Sequence, residues 1–245
     1  GLSDFATLSI DEFHERSLDI DLILALAMEE RQRGLVVMSA TIEGDRVARH
    51  LGGVHLRGEG RTFPITTRHV ALGAHLPQVK GLEDRILKAL TQALDDEGDV
   101  LVFLPGKGEI SGALSRLGPL ARSANLELIP LHGGLNLKEQ GRAFDDYPRR
   151  KVILATNVAE TSITLPGIRV VIDSGLARQT RYRQGRGYLG LVPIAQDSAM
   201  QRAGRGGRMA PGVCYQLWDG AARLEDRTRP EVYRESLVPL VLATA

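Results

Sequence analysis

The sequence has one cysteine, no excess of charge of either sign, no long apolar run and no internal repeat. Cys214 alone cannot form an internal disulfide, and no metal-ligand spacing surrounds it, which fits a reducing compartment. Lys and Arg total 31 against 30 Asp and Glu, so without bulk basicity a nucleic-acid partner has to be met by local clusters. No apolar stretch approaches the roughly 20 residues that cross a bilayer. The first residues, Gly1-Leu2-Ser3-Asp4, have neither a basic nor an apolar leader character. A cytoplasmic protein without a membrane span is the expectation. There is no low-complexity tract, and no period of about 20 to 50 residues that would mark a solenoid.

What is present is an apolar content of 43% over 245 residues, enough for one large core or two modest ones. Short β-branched runs alternate with helical patterns, the arrangement of α/β proteins with parallel sheets. Strands are expected over 5–10, 35–38, 54–57, 65–72, 100–104, 126–131, 152–157, 170–175 and 213–218. Helices are expected over 17–33, from near 43, and over 82–94, 109–117, 138–144 and 231–242, with 58–64 as a linker. Both ends of the chain read as mid-fold.

Asp11 and Glu12 follow the first expected strand directly. Ligands of open parallel sheets sit outside the carboxyl ends of the strands, which places Asp11 to hold Mg²⁺ and Glu12 to orient and deprotonate a water. The same acids would also complement the dipole of the helix that follows. Ser39 and Thr41, at the next strand end, either relay contacts or cap a helix.

In Gln201 to Arg208, a helical reading puts Gln201, Arg205 and Arg208 at i, i+4 and i+7 on one face. Such a row of forked donors suits a polyphosphate, with a solvated basic helix end as the alternative. Gly204, Gly206 and Gly207 each cost about 1 kcal/mol relative to Ala in a helix interior, so a close approach to this backbone is expected. Arg178, Arg181, Arg183 and Arg186, mixed with Tyr182 and Gly185, form a charged hairpin or loop. It is either a solvated edge that resists strand pairing or a contact for a nucleic-acid backbone.

Taken in order, these stretches resemble the DEAH-box branch of the superfamily 2 helicases. Asp11-Glu12-Phe13-His14 matches motif II, Ser39-Ala40-Thr41 motif III, Ala155 to Thr164 motif V, and Gln201 to Arg208 motif VI. Phe13 and Phe103-Leu104-Pro105-Gly106 point to the bacterial HrpB-type members. The resemblance implies two RecA-like domains that clamp ATP and bind single-stranded RNA. It implies Asp11 as the metal-holding acid, Glu12 as the catalytic base and His14 as a link toward Gln201. Gln201 would position the attacking water and Arg205 and Arg208 would serve as arginine fingers. Phe144 would stack on adenine, Ser162 and Thr164 would face the nucleotide, and Thr156 and Asn157 would hold the RNA backbone.

Departures limit what the chain does alone. No Gly-x-x-x-x-Gly-Lys-Ser/Thr sequence occurs, so the phosphate-cradling loop is absent and the chain by itself is not expected to hydrolyse ATP. Pro166 stands where relatives often carry an acid toward the ribose, and Gly206 replaces the usual Ala of motif VI. The expected division is 1–62, the back part of a first RecA-like domain; 63–228, a complete second one; and 229–245, the start of a winged-helix region. Two other readings stay open: a non-enzymatic nucleic-acid-binding module from a degenerate helicase, and a translocase on DNA, since phosphate contacts do not report the sugar.

Overall fold

The computed structural model describes residues 5–30, 34–40, 44–58, 63–160, 163–183, 186–238 and 241, and only the backbone of 182, 183 and 186. The described residues form two compact units. The first takes in residues up to 58, the hairpin tip 180–189 and the segment from Arg229; the second takes in 63–179 and 190–228.

In the first unit, β1 (Thr7–Ile10) and β2 (Gly34–Val37) pair in parallel, with Leu8 beside Leu35 and Ile10 beside Val37. Helix α1 (Leu18–Glu29) lies between them in the chain, and α2 (Gly44–Leu51) follows. Ser17 caps α1, its hydroxyl accepting from the Ile20 amide at 3.3 Å, and Asp19 and Asp21 supply negative charge to the first turn. A small core of Ile10, Phe13 and Leu24, flanked by Leu35, Val37 and Val47, holds these pieces together.

The second unit is built on a six-stranded parallel sheet in the order β3-β10-β7-β4-β6-β5. Its strands are β3 (Ile65–His69), β4 (Asp99–Phe103), β5 (Leu126–Leu131), β6 (Arg150–Ala155), β7 (Ile168–Asp173) and β10 (Gly212–Gln216). The central strands read as unbroken apolar runs because both faces are covered. On β4, Val100 and Val102 enter the core beneath α3 (Leu82–Ala93) and α4 (Lys107–Ser123), whereas Leu101 and Phe103 pack on the other face with Ile153, Ile129 and Cys214. The α/β class and parallel sheet agree with the sequence reading. Between β7 and β10 come the paired strands β8 (Leu176–Arg183) and β9 (Arg186–Pro193), then α6 (Gln196–Gly204).

Four expected elements differ. Residues 54–57 form no strand: Val54 and Leu56 are 85% and 87% exposed, and a short run without a partner strand gains nothing from extension. Helix α4 runs past its expected end at Leu117 through Pro119 to Ser123, because Leu120 and Ala121 pack on the core and outweigh the missing amide. Helix α5 (Leu137–Gly141) is shorter than expected; an Asn136–Glu139 capping box starts it, and it stops before Phe144. At 231–237 there is only the 3₁₀ turn Glu231–Tyr233 rather than a helix.

Candidate nucleotide and nucleic-acid site

In the first unit the chain leaves β1 at Ile10 and turns sharply. Glu12 and Arg16 are both left-handed, at φ 52° and 49°, on either side of the 3₁₀ turn Phe13–Glu15. Such a backbone costs on the order of 1–3 kcal/mol per residue and persists only when neighbours over-determine it. Here they do. The Phe13 amide donates to Met38 O at 3.0 Å, the Met38 amide donates to Ile10 O at 2.8 Å, and Phe13 is buried. The Arg16 guanidinium lies 5.1 Å from the Phe13 ring centre and forks onto Asp21 at 2.8 and 3.1 Å.

This turn presents the acids. Asp11 is exposed, with Oδ1 accepting the Glu12 amide at 2.7 Å. The His14 side chain is 8% exposed; its Nε2 lies 3.4 Å from Glu12 Oε2, and the Ala40 amide reaches its Nδ1 at 3.5 Å. Motifs II and III therefore meet at His14 inside one unit, while Gln201, its expected correspondent, belongs to the other. Thr41 and Ser162 lie outside the described residues. No group of three metal-ligating side chains occurs among the described residues. A single exposed carboxylate fits Mg²⁺ as that ion is commonly held, by one or two acids together with the phosphates it arrives with.

In the second unit, β6 delivers Thr156 and Asn157 to the carboxyl edge of the sheet. The Thr156 amide donates to Leu131 O at 3.1 Å, and exposed Asn157 opens the 3₁₀ turn Asn157–Ala159. The motif VI stretch is not one helix. Helix α6 ends at Gly204 and Arg205–Gly207 continue as a 3₁₀ turn, so Gln201, Arg205 and Arg208 do not lie along a single α-helix. The arginines converge by another route. Arg205 Nη1 donates to Ile163 O at 3.0 Å and Arg208 Nη1 donates to Thr164 Oγ1 at 2.6 Å, so motif VI closes on the end of motif V.

The close approach expected at the glycines is made by the protein's own backbone. A Cβ on Gly206 would lie 3.1 Å from Arg169 O, and one on Gly207 would lie 2.8 Å from Phe63 O. Gly204 has open space around it. Phe144, 43% exposed, follows α5. The arginine cluster divides: Arg178 pairs with Glu109 at 2.9 Å, Arg181 is exposed, and the side chains of Arg183 and Arg186 lie outside the description.

The residue that the sequence reading passed over is Arg202. It is 2% exposed, donating from Nε to Glu160 Oε2 at 2.8 Å and from Nη1 to Asp173 Oδ1 at 2.9 Å and Leu176 O at 3.2 Å. Its guanidinium lies 5.0 Å from the Phe103 ring centre. The Ser198 hydroxyl also donates to Glu160. Burial pushes the Asp173 carboxyl up, against the opposing pull of Arg202 and the Gly175 amide. Burial works against the Arg202 charge too, but Asp173 and Glu160 outweigh it and raise its affinity for the proton. The signal was available: Arg202 is one residue after Gln201, about 100° around a helix of 3.6 residues per turn, and so points away from the Gln201 face.

Together, parallel strands whose carboxyl ends lead to Thr156 and Asn157 and to Asp173, and a glycine-rich helix end carrying paired arginines, define a RecA-like α/β unit. Residues 84–210 match the family described as Helicase conserved C-terminal domain, and the chain belongs to that family. It is 37% identical to the ATP-dependent RNA helicase HrpA of Escherichia coli K12, an alignment covering 98% of this chain and 19% of that protein. It is 38% identical to HrpB of the same organism, over 98% of this chain and 31% of that protein. A crystal structure of the Escherichia coli DEAH/RHA helicase HrpB superposes with a TM-score of 0.86 at 36% identity, covering 99% of this chain and 32% of that one. The chain thus spans less than a third of the length of these relatives.

Proposed function

We propose that the chain is the motif II to motif VI part of an ATP-dependent RNA helicase that uses ATP and Mg²⁺ to move along or remodel single-stranded RNA in the cytoplasm. The observation that carries this reading is the convergence of Arg205 and Arg208 on Ile163 and Thr164, which brings two stretches far apart in sequence into one constellation. The likeness to relatives named as ATP-dependent RNA helicases supports it. No helix among the described residues is long and apolar enough to cross a membrane.

The proposed division is 1–62 as part of a first RecA-like domain, 63–228 as a second, and 229–245 as the start of a helical region. Asp11 holds the metal, which when bound neutralises phosphate charge. Glu12 takes a proton from the attacking water, with His14 beside it. Gln201 positions that water. Arg205 and Arg208 stabilise charge on the transferring phosphoryl group, Ser162 and Thr164 face the nucleotide, and Phe144 stacks on the base. Thr156, Asn157, Arg181 and Arg183 hold the RNA backbone.

The test is RNA-stimulated ATPase in the whole protein that carries this chain. Glu12→Gln should remove most turnover, and Arg205→Ala should lower kcat by about 10³-fold or more, the scale of an arginine finger. Wild-type turnover in both variants would end the assignment. Competition between single-stranded RNA and DNA at fixed salt decides the sugar preference.

A further inference from the structure

Arg205 and Arg208 lie beyond the end of α6, in and just after the 3₁₀ turn Arg205–Gly207, whose backbone packs against Arg169 O and Phe63 O. Their targets, Ile163 and Thr164, sit in the irregular stretch between the 3₁₀ turn Asn157–Ala159 and β7. The Glu160 carboxylate ties α6 to that stretch. It accepts from Ser198 and Arg202, which are one helical turn apart on the same face of α6. Arg202 is in turn held by Asp173 Oδ1 and Leu176 O and lies against the Phe103 ring. Among the described residues, Glu160 is the one through which α6 is bolted to the motif V stretch by charge.

A buried ion cluster of this kind is a poor way to gain stability, because desolvation offsets most of the attraction and apolar residues of equal volume would do as well. What it supplies is one geometry, since forked donors and carboxylates meet in few orientations. We propose that Glu160, acting through Arg202 and Ser198, is a positioning residue for ATP turnover that sets the aim of the Arg205 and Arg208 guanidinium groups. This rests on reading those two arginines as the groups that stabilise transition-state charge. Glu160 does not touch the nucleotide in this scheme; it acts entirely through them.

The prediction has a kinetic form that mere support of the fold would not reproduce. Groups that matter only in the transition state change kcat and leave KM nearly unmoved, and a misplacement of about 1 Å costs on the order of 100-fold. In the whole protein at saturating single-stranded RNA, Glu160→Gln should lower kcat between about 10- and 100-fold while KM for ATP stays within about twofold. Introduced into Arg205→Ala, the same change should cost less than it does in the wild type, the remainder acting through Arg208, because residues acting through a shared interaction are not additive. Ser198→Ala, which removes one of the two ties and leaves the ion pair, should show the same behaviour with a smaller drop and serves if Glu160→Gln does not fold. Three results overturn the proposal: normal kcat in Glu160→Gln or in a folded Ser198→Ala, a KM that rises with the fall in kcat, or full additivity with Arg205→Ala. If Arg205→Ala itself keeps wild-type kcat, the underlying reading of the arginines has failed and the strut falls with it. An impaired Arg205→Ala beside a normal Glu160→Gln removes the strut alone.

Discussion

Single residues in this protein are set by partners far along the chain. Tyr215 on β10 is an example outside the site. Its hydroxyl donates to Asp96 Oδ2 at 2.6 Å and accepts from Arg68 Nη1 at 2.6 Å. Burial first, and then the bond to Asp96, push the phenol up to about 12. Its folded value is thus above the unfolded one, near 10. Its contribution to stability is complete below about pH 10 and is lost as pH rises toward about 12, because the unfolded chain releases that proton first. Urea unfolding of wild type should therefore lose up to about 1.4 kcal/mol per pH unit more than Tyr215→Phe across that window. Parallel curves for the two proteins would show that the phenol is not held this way. At the site, the same dependence on distant partners separates Arg202 from Arg205. Both are arginines of one eight-residue stretch, yet the first is buried on two carboxylates and the second reaches a carbonyl of the motif V loop.

At the scale of elements, the glycines of residues 204–207 do different work. Gly207 sits where a methyl group would meet Phe63 O at 2.8 Å and Ile65 Cγ1 at 2.9 Å, with its own carbonyl accepting the Phe63 amide at 2.9 Å. Backbone cannot give way there as a flexible side chain could. Gly207→Ala should destabilise by about 1–3 kcal/mol, the usual cost of overpacking. At Gly204 an added methyl group would find nothing within 4 Å, and the backbone has ordinary helical angles of φ −55° and ψ −22°. Gly204→Ala should stabilise by up to about 1 kcal/mol, since Ala favours the helix. Thermal melts of the two variants check both signs, and equal shifts would refute the distinction. The sequence showed that something approaches this backbone. It could not show that the neighbour is the chain before β3, because that contact joins residues well over a hundred positions apart.

For the molecule as a whole, the buried apolar side chains of the described residues gather in a small cluster around Phe13, another around Trp218, and two large clusters on either face of the six-stranded sheet. The large clusters belong entirely to the second unit. Residues 63–228 expressed alone should therefore fold with a single cooperative urea transition, as expected for one domain with its own core. A broad, non-cooperative transition would show that the proposed boundary is wrong.

Local chemistry determined much of this protein. The apolar runs of 100–104 and 152–155 dictate buried parallel strands, because only strands covered on both faces tolerate such continuity. Asp11, Glu12, Thr156 and Asn157 were legible as site candidates because strand ends are where a parallel sheet offers side chains to a ligand. The order of the four motifs was enough to indicate the family. Tertiary structure alone decided the rest: that residues 54–57 form no strand, that α6 stops at Gly204, and that Arg205 and Arg208 close on Ile163 and Thr164. It also decided that Arg202 turns inward to Glu160 and Asp173. The physical reason is common to all of these. Periodicity reports which side of an element is apolar, whereas burial of a charge or extension of a short strand depends on which partner arrives from elsewhere in the chain, and on whether its geometry repays the loss of water.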